Sequence, residues 1–283
     1  MKKRGFLMSA AALTVLGAPY LARAASAFRL GLTPVFLDND AVVIDRLRSL
    51  VSTAMGEPVE LIQRRTYQEI TAMLLDGSVD TAWICGFPFL QHRERLALIG
   101  VPQWRGRPLY QSYLIASAQD PSAALGDFEG GTHAFSDPDS NSGYLVTASD
   151  LARAGHSPET FFSRTIFTYG HRNVVRSVAS GLTRSGSVDG YVWETLAQGE
   201  PGLTANTRVI AKSEWMGFPP FAARLDRAEE PAVRRFEEIL KTLHTSQAGQ
   251  DVLSLLYLDR IADGDAALFD GIALRMADLP ERR

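Results

Sequence analysis

The feature that most narrows the possible folds is an alternation of two hydrophobic periods, met twice along the chain. "FRLGLTP" (28–34) has the length and apolar content of a short strand, and "DNDAVVIDRLRSLVSTAMG" then carries apolar residues at helical spacing, with Gly56 to stop it. "EPVELIQRR" reads as a second strand, "TYQEITAMLLDG" as a helix capped by Thr66 and ended by Gly77, and "VDTAWICG" as a third strand. The order β-α-β-α-β predicts a parallel, doubly wound sheet, which keeps ligand chemistry at the carboxyl ends of its strands.

The alternation restarts at "LYQSYLIAS" (109–117), expected as one strand. After the loop "AQDPSAALGDFEGG" it runs through strand "THAFSD", helix "SGYLVTASDLARAG", strand "RTIFTYG", helix "HRNVVRSVASG" and strand "SVDGYVW". Two such units predict two α/β lobes. "TRVIAKS" reads as a return strand, and "EEPAVRRFEEILKTLHTSQAGQDVLSLL" as a helical tail with Gly249 inside it. A chain that crosses to a second lobe and comes back makes a two-stranded hinge, with a cleft between the lobes. Residues 25–113 are expected to begin lobe one, 114–212 to form lobe two, and 213–283 to return to lobe one with the C-terminal helices.

Composition excludes some partners. The 283 residues are 46% hydrophobic and 22% charged, ordinary globular values, and a net charge of −3 offers no electrostatic footprint for nucleic acid or an anionic membrane. The N-terminus has the three parts of a secretory signal: basic Lys2, Lys3 and Arg4, the apolar run "LMSAAALTVLGA", and small residues in "ARAAS". Residues 1–24 are expected to be a signal peptide cut after Ala24, the alternative being an uncleaved anchor. "KRGFLM" also resembles a twin-arginine signal with Lys3 in place of the first arginine. Cys85 is the only cysteine, so the chain can form no internal disulfide framework and no lipid-anchored N-terminal cysteine. An exported, unlipidated chain of this kind fits a bacterial periplasm.

The candidate site starts from "SDPDSNSGYLV" (136–146). Asp137-Pro138 makes a turn, and Ser140, Asn141 and Ser142 then set small hydrogen-bond donors at a helix start expected near Gly143. A helix N-terminus favours an anion through its unpaired N–H groups and its dipole. One of these residues could be merely an N-cap; three together, followed by a glycine that permits close approach, favour a ligand site. His171 repeats the design at the start of "HRNVVRSVASG", where the alternative is a surface or capping histidine. Tyr67 and Tyr110 stand where phenolic O–H groups could donate from the opposite wall, although tyrosines are also common in cores. Cys85 follows "TAWI" at the carboxyl end of a strand, as a soft ligand or as a buried small hydrophobe. No P-loop, GxGxxG, HExxH or GxSxG stretch occurs, and the five histidines lie apart, so neither a cofactor nor a metal is expected. An enzyme reading would make His171 a base with Asp189 or Glu194 as partner; it lacks a nucleophile.

"DTAWICGFPF", "FSDPDSNSGYLV", "YGHRNVVRSVASG" and "GSVDGYVWETL", in that order, resemble the periplasmic solute-binding proteins of phosphonate, phosphite and phosphate ABC importers, over residues 28–258. The resemblance implies a type II periplasmic binding protein, a monomer whose two lobes close on a small oxyanion and which then docks on an ABC permease. The family's Ser-Thr-Ser triplet falls on Ser140, Asn141 and Ser142, its histidine on His171 and its tyrosines on Tyr67 and Tyr110. Asn141 replaces a threonine and keeps a donor. Members that take aminoalkyl phosphonates set carboxylates against the ligand's amine. Their counterparts here are Tyr191, in a stretch that also holds Asp189 and Glu194, and Pro219, so a smaller or uncharged-tail oxyanion is expected. A related class of arsenite-binding sensors hands its signal to a membrane histidine kinase, and Cys85 is the residue such a sensor would use.

Overall fold

The computed structural model describes residues 27–35 and 41–279; the expected signal segment lies outside the described residues. The first unit follows the predicted order: β1 (Phe28–Leu32), α1 (Ala41–Met55), β2 (Val59–Gln63), α2 (Tyr67–Asp76) and β3 (Thr81–Trp83). Thr66 and Glu69 form a reciprocal capping box at the start of α2, and Gly77 ends it at φ 80°. Next come α3 (Gly86–Gln91), β4 (Leu96–Gln103), β5 (Leu109–Tyr110), β6 (Ser112–Ser117), β7 (Thr132–Phe135) and a π-helical turn over Asn141–Leu145. The second unit continues through α4 (Val146–Arg153), α5 (Pro158–Phe161), β8 (Arg164–Phe167), α6 (His171–Ala179), β9 (Ser185–Asp189), α7 (Gly190–Gly199), α8 (Pro201–Thr204) and β10 (Thr207–Lys212). The last described elements are β11 (Met216–Gly217), β12 (Phe221–Arg224), α9 (Pro231–Thr242), α10 (Gln247–Leu255), β13 (Arg260–Ala262) and α11 (Asp270–Ala277). No helix among the described residues is long and apolar enough to cross a membrane.

Two α/β sheets result. The first has the order β13-β4-β12-β3-β1-β2 and the second β10-β6-β9-β7-β8. Within them β2-β1-β3 and β9-β7-β8 run parallel, as the alternation predicts. The remaining pairings, β12 with β3 and β4, β13 with β4, and β6 with β9 and β10, are antiparallel, so both sheets are mixed rather than wholly parallel. The crossover rule explains the difference: β12 reaches its sheet from the other unit, with no helix of its own to carry it over in parallel.

Four local expectations change. "LYQSYLIAS" is two strands: Leu109 and Tyr110 pair with Gly217 and Met216 in a separate two-stranded ladder, and the second sheet begins at Ser112. This ladder lies where the hinge was expected. "SVDGYVW" is a strand only to Asp189, whose side chain caps α7 by accepting the Tyr191 and Val192 amides. The C-terminal helix is interrupted at Leu243–Thr245, because Ser246 caps α10 and Leu243 folds back on Gly249, where a β-carbon would meet the Leu243 carbonyl oxygen at 1.9 Å. The helix expected to start near Gly143 starts earlier, as the π turn, with amides of Leu145 and Val146 reaching back five residues to the carbonyls of Ser140 and Asn141.

Candidate functional site

Each site residue proposed from the sequence, Tyr110 excepted, stands at or next to a helix start, and the fold brings these starts together. Tyr67 opens α2, Cys85 precedes α3, Ser140 caps the π turn that leads into α4, His171 opens α6, and Asp189 caps α7. All are buried, together with Tyr110, Asn141 and Ser142. The first sheet supplies Tyr67 and Cys85 and the second supplies the rest, except that Tyr110 comes from the two-stranded ladder. The two halves touch. The Tyr67 hydroxyl lies 3.2 Å from His171 Nε2, and the Tyr67 amide donates to Asp137 Oδ2 at 3.1 Å. Asn141 donates its amide to Cys85 Sγ at 3.3 Å and its Nδ2 to the Tyr110 hydroxyl at 2.9 Å.

The turn that carries Ser140–Ser142 is held from below. Ser140 Oγ accepts the Gly143 amide at 3.0 Å, Ser112 Oγ donates to the Ser142 carbonyl at 2.6 Å, and the Ser136 amide donates to the Gly143 carbonyl at 3.1 Å. Gly143 is obligatory on steric grounds, since a β-carbon there would stand 1.8 Å from Ser136 Oγ and 2.9 Å from His171 Cε1. Widening the helix start into a π turn presents the Asn141 amide to the shared interior; such bulges mark functional sites in many helices.

Neutral donors dominate the electrostatics. His171 Nδ1 accepts the Asp189 amide at 3.0 Å, so the ring's proton resides on Nε2, which faces Tyr67 as a donor. Burial pushes His171 down to about 3, which keeps it uncharged. Burial also holds the Tyr67 and Tyr110 phenols well above their usual value and pushes the Cys85 thiol up to about 11. Among the described residues, no lysine or arginine is hydrogen-bonded to Tyr67, Tyr110, Ser140, Asn141, Ser142, His171 or Asp189. Of the buried side-chain polar atoms that have no hydrogen-bond partner among the described residues, two lie here, Ser136 Oγ and Asn141 Oδ1. Both belong to the strand-turn segment that ends in the Ser-Asn-Ser stretch.

Tyr191 departs from expectation. Its hydroxyl donates to the Leu256 carbonyl, and its ring packs edge-on against Trp104 and Phe218, so it builds a wall. Glu194 turns to Tyr113, Arg105 and Lys212 instead. Asp137, read from the sequence only as a turn residue, is the missed participant: its carboxylate accepts the first amide of α2 across the two halves. A carboxylate at the carboxyl end of a parallel strand was the available signal. Ser112 and Ser136, under the turn, carried none.

A family model described as "ABC transporter, phosphonate, periplasmic substrate-binding protein" matches residues 30–269. The chain belongs to this family. The phosphate-import protein PhnD of Mycolicibacterium smegmatis is 26% identical over 219 residues, 69% of this chain and 68% of that one. The fold is similar to the binding-protein component of an ABC phosphonate transporter from Pseudomonas aeruginosa (TM-score 0.80, 19% identity, 88% of this chain and 85% of that one). It is also similar to PhnD1 of Prochlorococcus marinus, solved with methylphosphonate (TM-score 0.77, 17% identity, 89% and 97%). The chain is thus a type II periplasmic binding protein of the phosphonate ABC transporter family, with a small ligand and a permease as partner. The family's description, a transporter's binding protein, displaces the sensor alternative.

Proposed function

We propose that the ligand is a small phosphorus oxyanion with a short or absent tail, of the phosphite, methylphosphonate or phosphate type. Tyr67 and Tyr110 hold it on one side, and Ser140, Asn141, Ser142 and His171 on the other. The observation that carries this reading is the convergence, away from water, of neutral O–H and N–H donors with the N-termini of α2, α4 and α6, in a place where no lysine or arginine among the described residues bonds to them. Hydrogen bonds to an ionised acceptor are about twice as strong as neutral ones, and a desolvated setting strengthens them further. No side chain caps α6, so its first turn is left to an outside acceptor. Rotating the Asn141 amide by half a turn lets Tyr110 donate to Oδ1 and releases Nδ2 toward the ligand.

The tail is judged from the wall. Tyr191 and Phe218 pack against each other with ring centroids 5.0 Å apart, and the Pro219 carbonyl is taken by the Trp83 indole N–H. An ammonium tail would meet aromatic rings where other members have carboxylates, so aminoalkyl phosphonates should bind poorly. Cys85 is read as a neutral soft acceptor that supports the Asn141 amide. Export through the N-terminal signal, action as a monomer, and two lobes closing about the β5–β11 ladder at the expected boundaries belong to the same reading. A ligand that prefers the closed form shifts the population toward it.

The test is a thermal-shift series of the purified protein with methylphosphonate, phosphite, phosphate, aminoethylphosphonate, sulfate and arsenite, since a ligand bound only by the native state raises the midpoint by mass action. Methylphosphonate or phosphite should raise the midpoint, and Ser140→Ala or His171→Ala should abolish the rise. An unchanged response in both variants would remove the assigned site. A rise with arsenite alone, lost in Cys85→Ser, would restore the thiol as the ligand-binding group.

A further inference from the structure

The oxyanion reading leaves one buried group without a role. Asp189 ends β9 with 2% of its surface exposed, in the midst of the donors just described. Its Oδ1 accepts the Tyr191 and Val192 amides of α7, at 2.8 and 3.3 Å, and among the described residues no donor is bonded to Oδ2. Its own amide fixes the His171 tautomer. Its charge bears on Tyr67 and Cys85 from the first half and on Tyr110 from the ladder, all of which it pushes up in pKa. Capping does not require it, because asparagine caps a helix as well as aspartate does. A carboxylate buried among neutral donors, in a site meant for an anion, adds both desolvation and like-charge repulsion. A proton shared between it and the ligand would remove both penalties.

We propose that Asp189 is a specificity-determining residue: it takes part in a hydrogen bond to the ligand that needs one proton between the two oxygens, and so favours oxyanions that hold a proton near neutral pH over sulfate and sulfonates, which hold none. The inference rests on the oxyanion reading above. A phosphonate or phosphate monoanion brings a P–OH and donates it to the Asp189 carboxylate; the dianion binds equally to the protonated carboxyl, because the complex contains the same single proton. A sulfonate binds only when Asp189 supplies that proton itself.

The titratable groups facing Asp189 are His171 on α6, Tyr67 on α2, Tyr110 on β5, Tyr113 on β6, Tyr191 on α7 and Cys85 before α3, with the Asp137 carboxylate beyond Tyr67. The phenols and the thiol are raised and the imidazole is lowered, so none of these six is ionised at neutral pH. Burial pushes Asp189 up to about 7. Its protonated fraction therefore falls about tenfold between pH 6 and pH 8.

The experiment is calorimetric titration of the purified protein with methylphosphonate and with methanesulfonate at about pH 6 and about pH 8, in the wild type and in Asp189→Asn. In the wild type, the preference for methylphosphonate over methanesulfonate should widen several-fold to about tenfold on going to the higher pH, almost entirely through weaker methanesulfonate binding. Asp189→Asn keeps the cap and carries its own N–H donor, so methanesulfonate affinity should become independent of pH and the preference should stop widening. A wild-type preference that does not change with pH, or one that widens equally in Asp189→Asn, overturns the inference while leaving the oxyanion reading in place. Failure of the wild type to bind either ligand at either pH overturns both. Should the variant not fold, the wild-type pH series alone decides.

Discussion

Gly143→Ala tests whether the π turn is held as tightly as its contacts imply. An alanine β-carbon would stand 1.8 Å from Ser136 Oγ, 2.7 Å from Ser136 Cβ and 2.9 Å from His171 Cε1, all shorter than any ordinary carbon contact. Neither backbone can retreat freely, because the Ser136 amide is bonded to the Gly143 carbonyl and the Gly143 amide to Ser140 Oγ. Overpacking of a filled interior costs about 1–3 kcal/mol, and three simultaneous overlaps put this substitution at about 3 kcal/mol. For a domain pair of this size that is a fall in Tm of about 6–12 °C. Ser136→Gly removes two of the three overlaps, so the double variant should recover more than half of the loss, with a coupling energy of about 1–2 kcal/mol. The assay is urea denaturation of the four members of the cycle, with methylphosphonate affinity measured alongside. A Gly143→Ala protein as stable as the wild type, or a double variant that shows simple additivity, would refute the claim that close approach dictates this glycine.

Acidification should destabilise the fold. His133, bonded to Ser185 and Ser187, and His171 are both pushed down to about 3 by burial. Below about pH 6.5 the unfolded chain binds protons that the folded one refuses, so each histidine withdraws up to about 4 kcal/mol between about pH 6.5 and about pH 3. Asp189, pushed up to about 7, acts with the opposite sign: between its ordinary value and about 7 only the folded state holds its proton, and stability falls as pH rises through that window. Two histidines outweigh one aspartate, so the urea midpoint should drop from about pH 6.5 to about pH 4.5; a flat or rising midpoint contradicts the assignment. Arg275 joins Glu214 to the Val146 carbonyl, Ser149 and Asp150, tying α11 to α4. Arg275→Gln should lower stability by about 2–3 kcal/mol, less than for a fully buried pair because both carboxylates are partly exposed, and denaturation reads it directly. Tyr191→Phe, which strands the Leu256 carbonyl, should cost about 1 kcal/mol and leave methylphosphonate affinity unchanged; a large affinity loss would return Tyr191 to the ligand.

Much of the architecture was legible because it rests on local patterns. The alternation of apolar periods marks β1 through β3 and β7 through β9, and Thr66, Gly77 and the Ser-Asn-Ser stretch are punctuated by capping chemistry that operates within a few residues. Elements defined by distant partners were harder to read. Tyr110 and Ser112 look like one strand because Gln111 between them carries no breaker, and only pairing with Met216 on one side and Asp189 on the other separates them. Asp189 and Gly190 read as strand because the switch to helix is made by a side-chain cap. The helices α3 and α11, and the strands β4, β12 and β13, leave little trace in the sequence, being short or lacking a clear period.

Local sequence chemistry fixes the helix starts at Tyr67 and His171 and the polar turn at Ser140–Ser142, since capping and breaking depend on neighbours along the chain, and the order of the motifs points to the family; the starts after Cys85 and Asp189 emerge only in the fold. What those starts face is set by packing. That Tyr67 meets His171, that Cys85 lies under the Asn141 amide, that Asp137 receives the first amide of α2, and that Tyr191 turns away to Leu256 are facts of packing between segments some 55 to 105 residues apart. The physical reason is the same in each case. A side chain's partner is chosen by the burial of whole sheets and helices, and burial joins segments whose separation along the chain leaves no local trace.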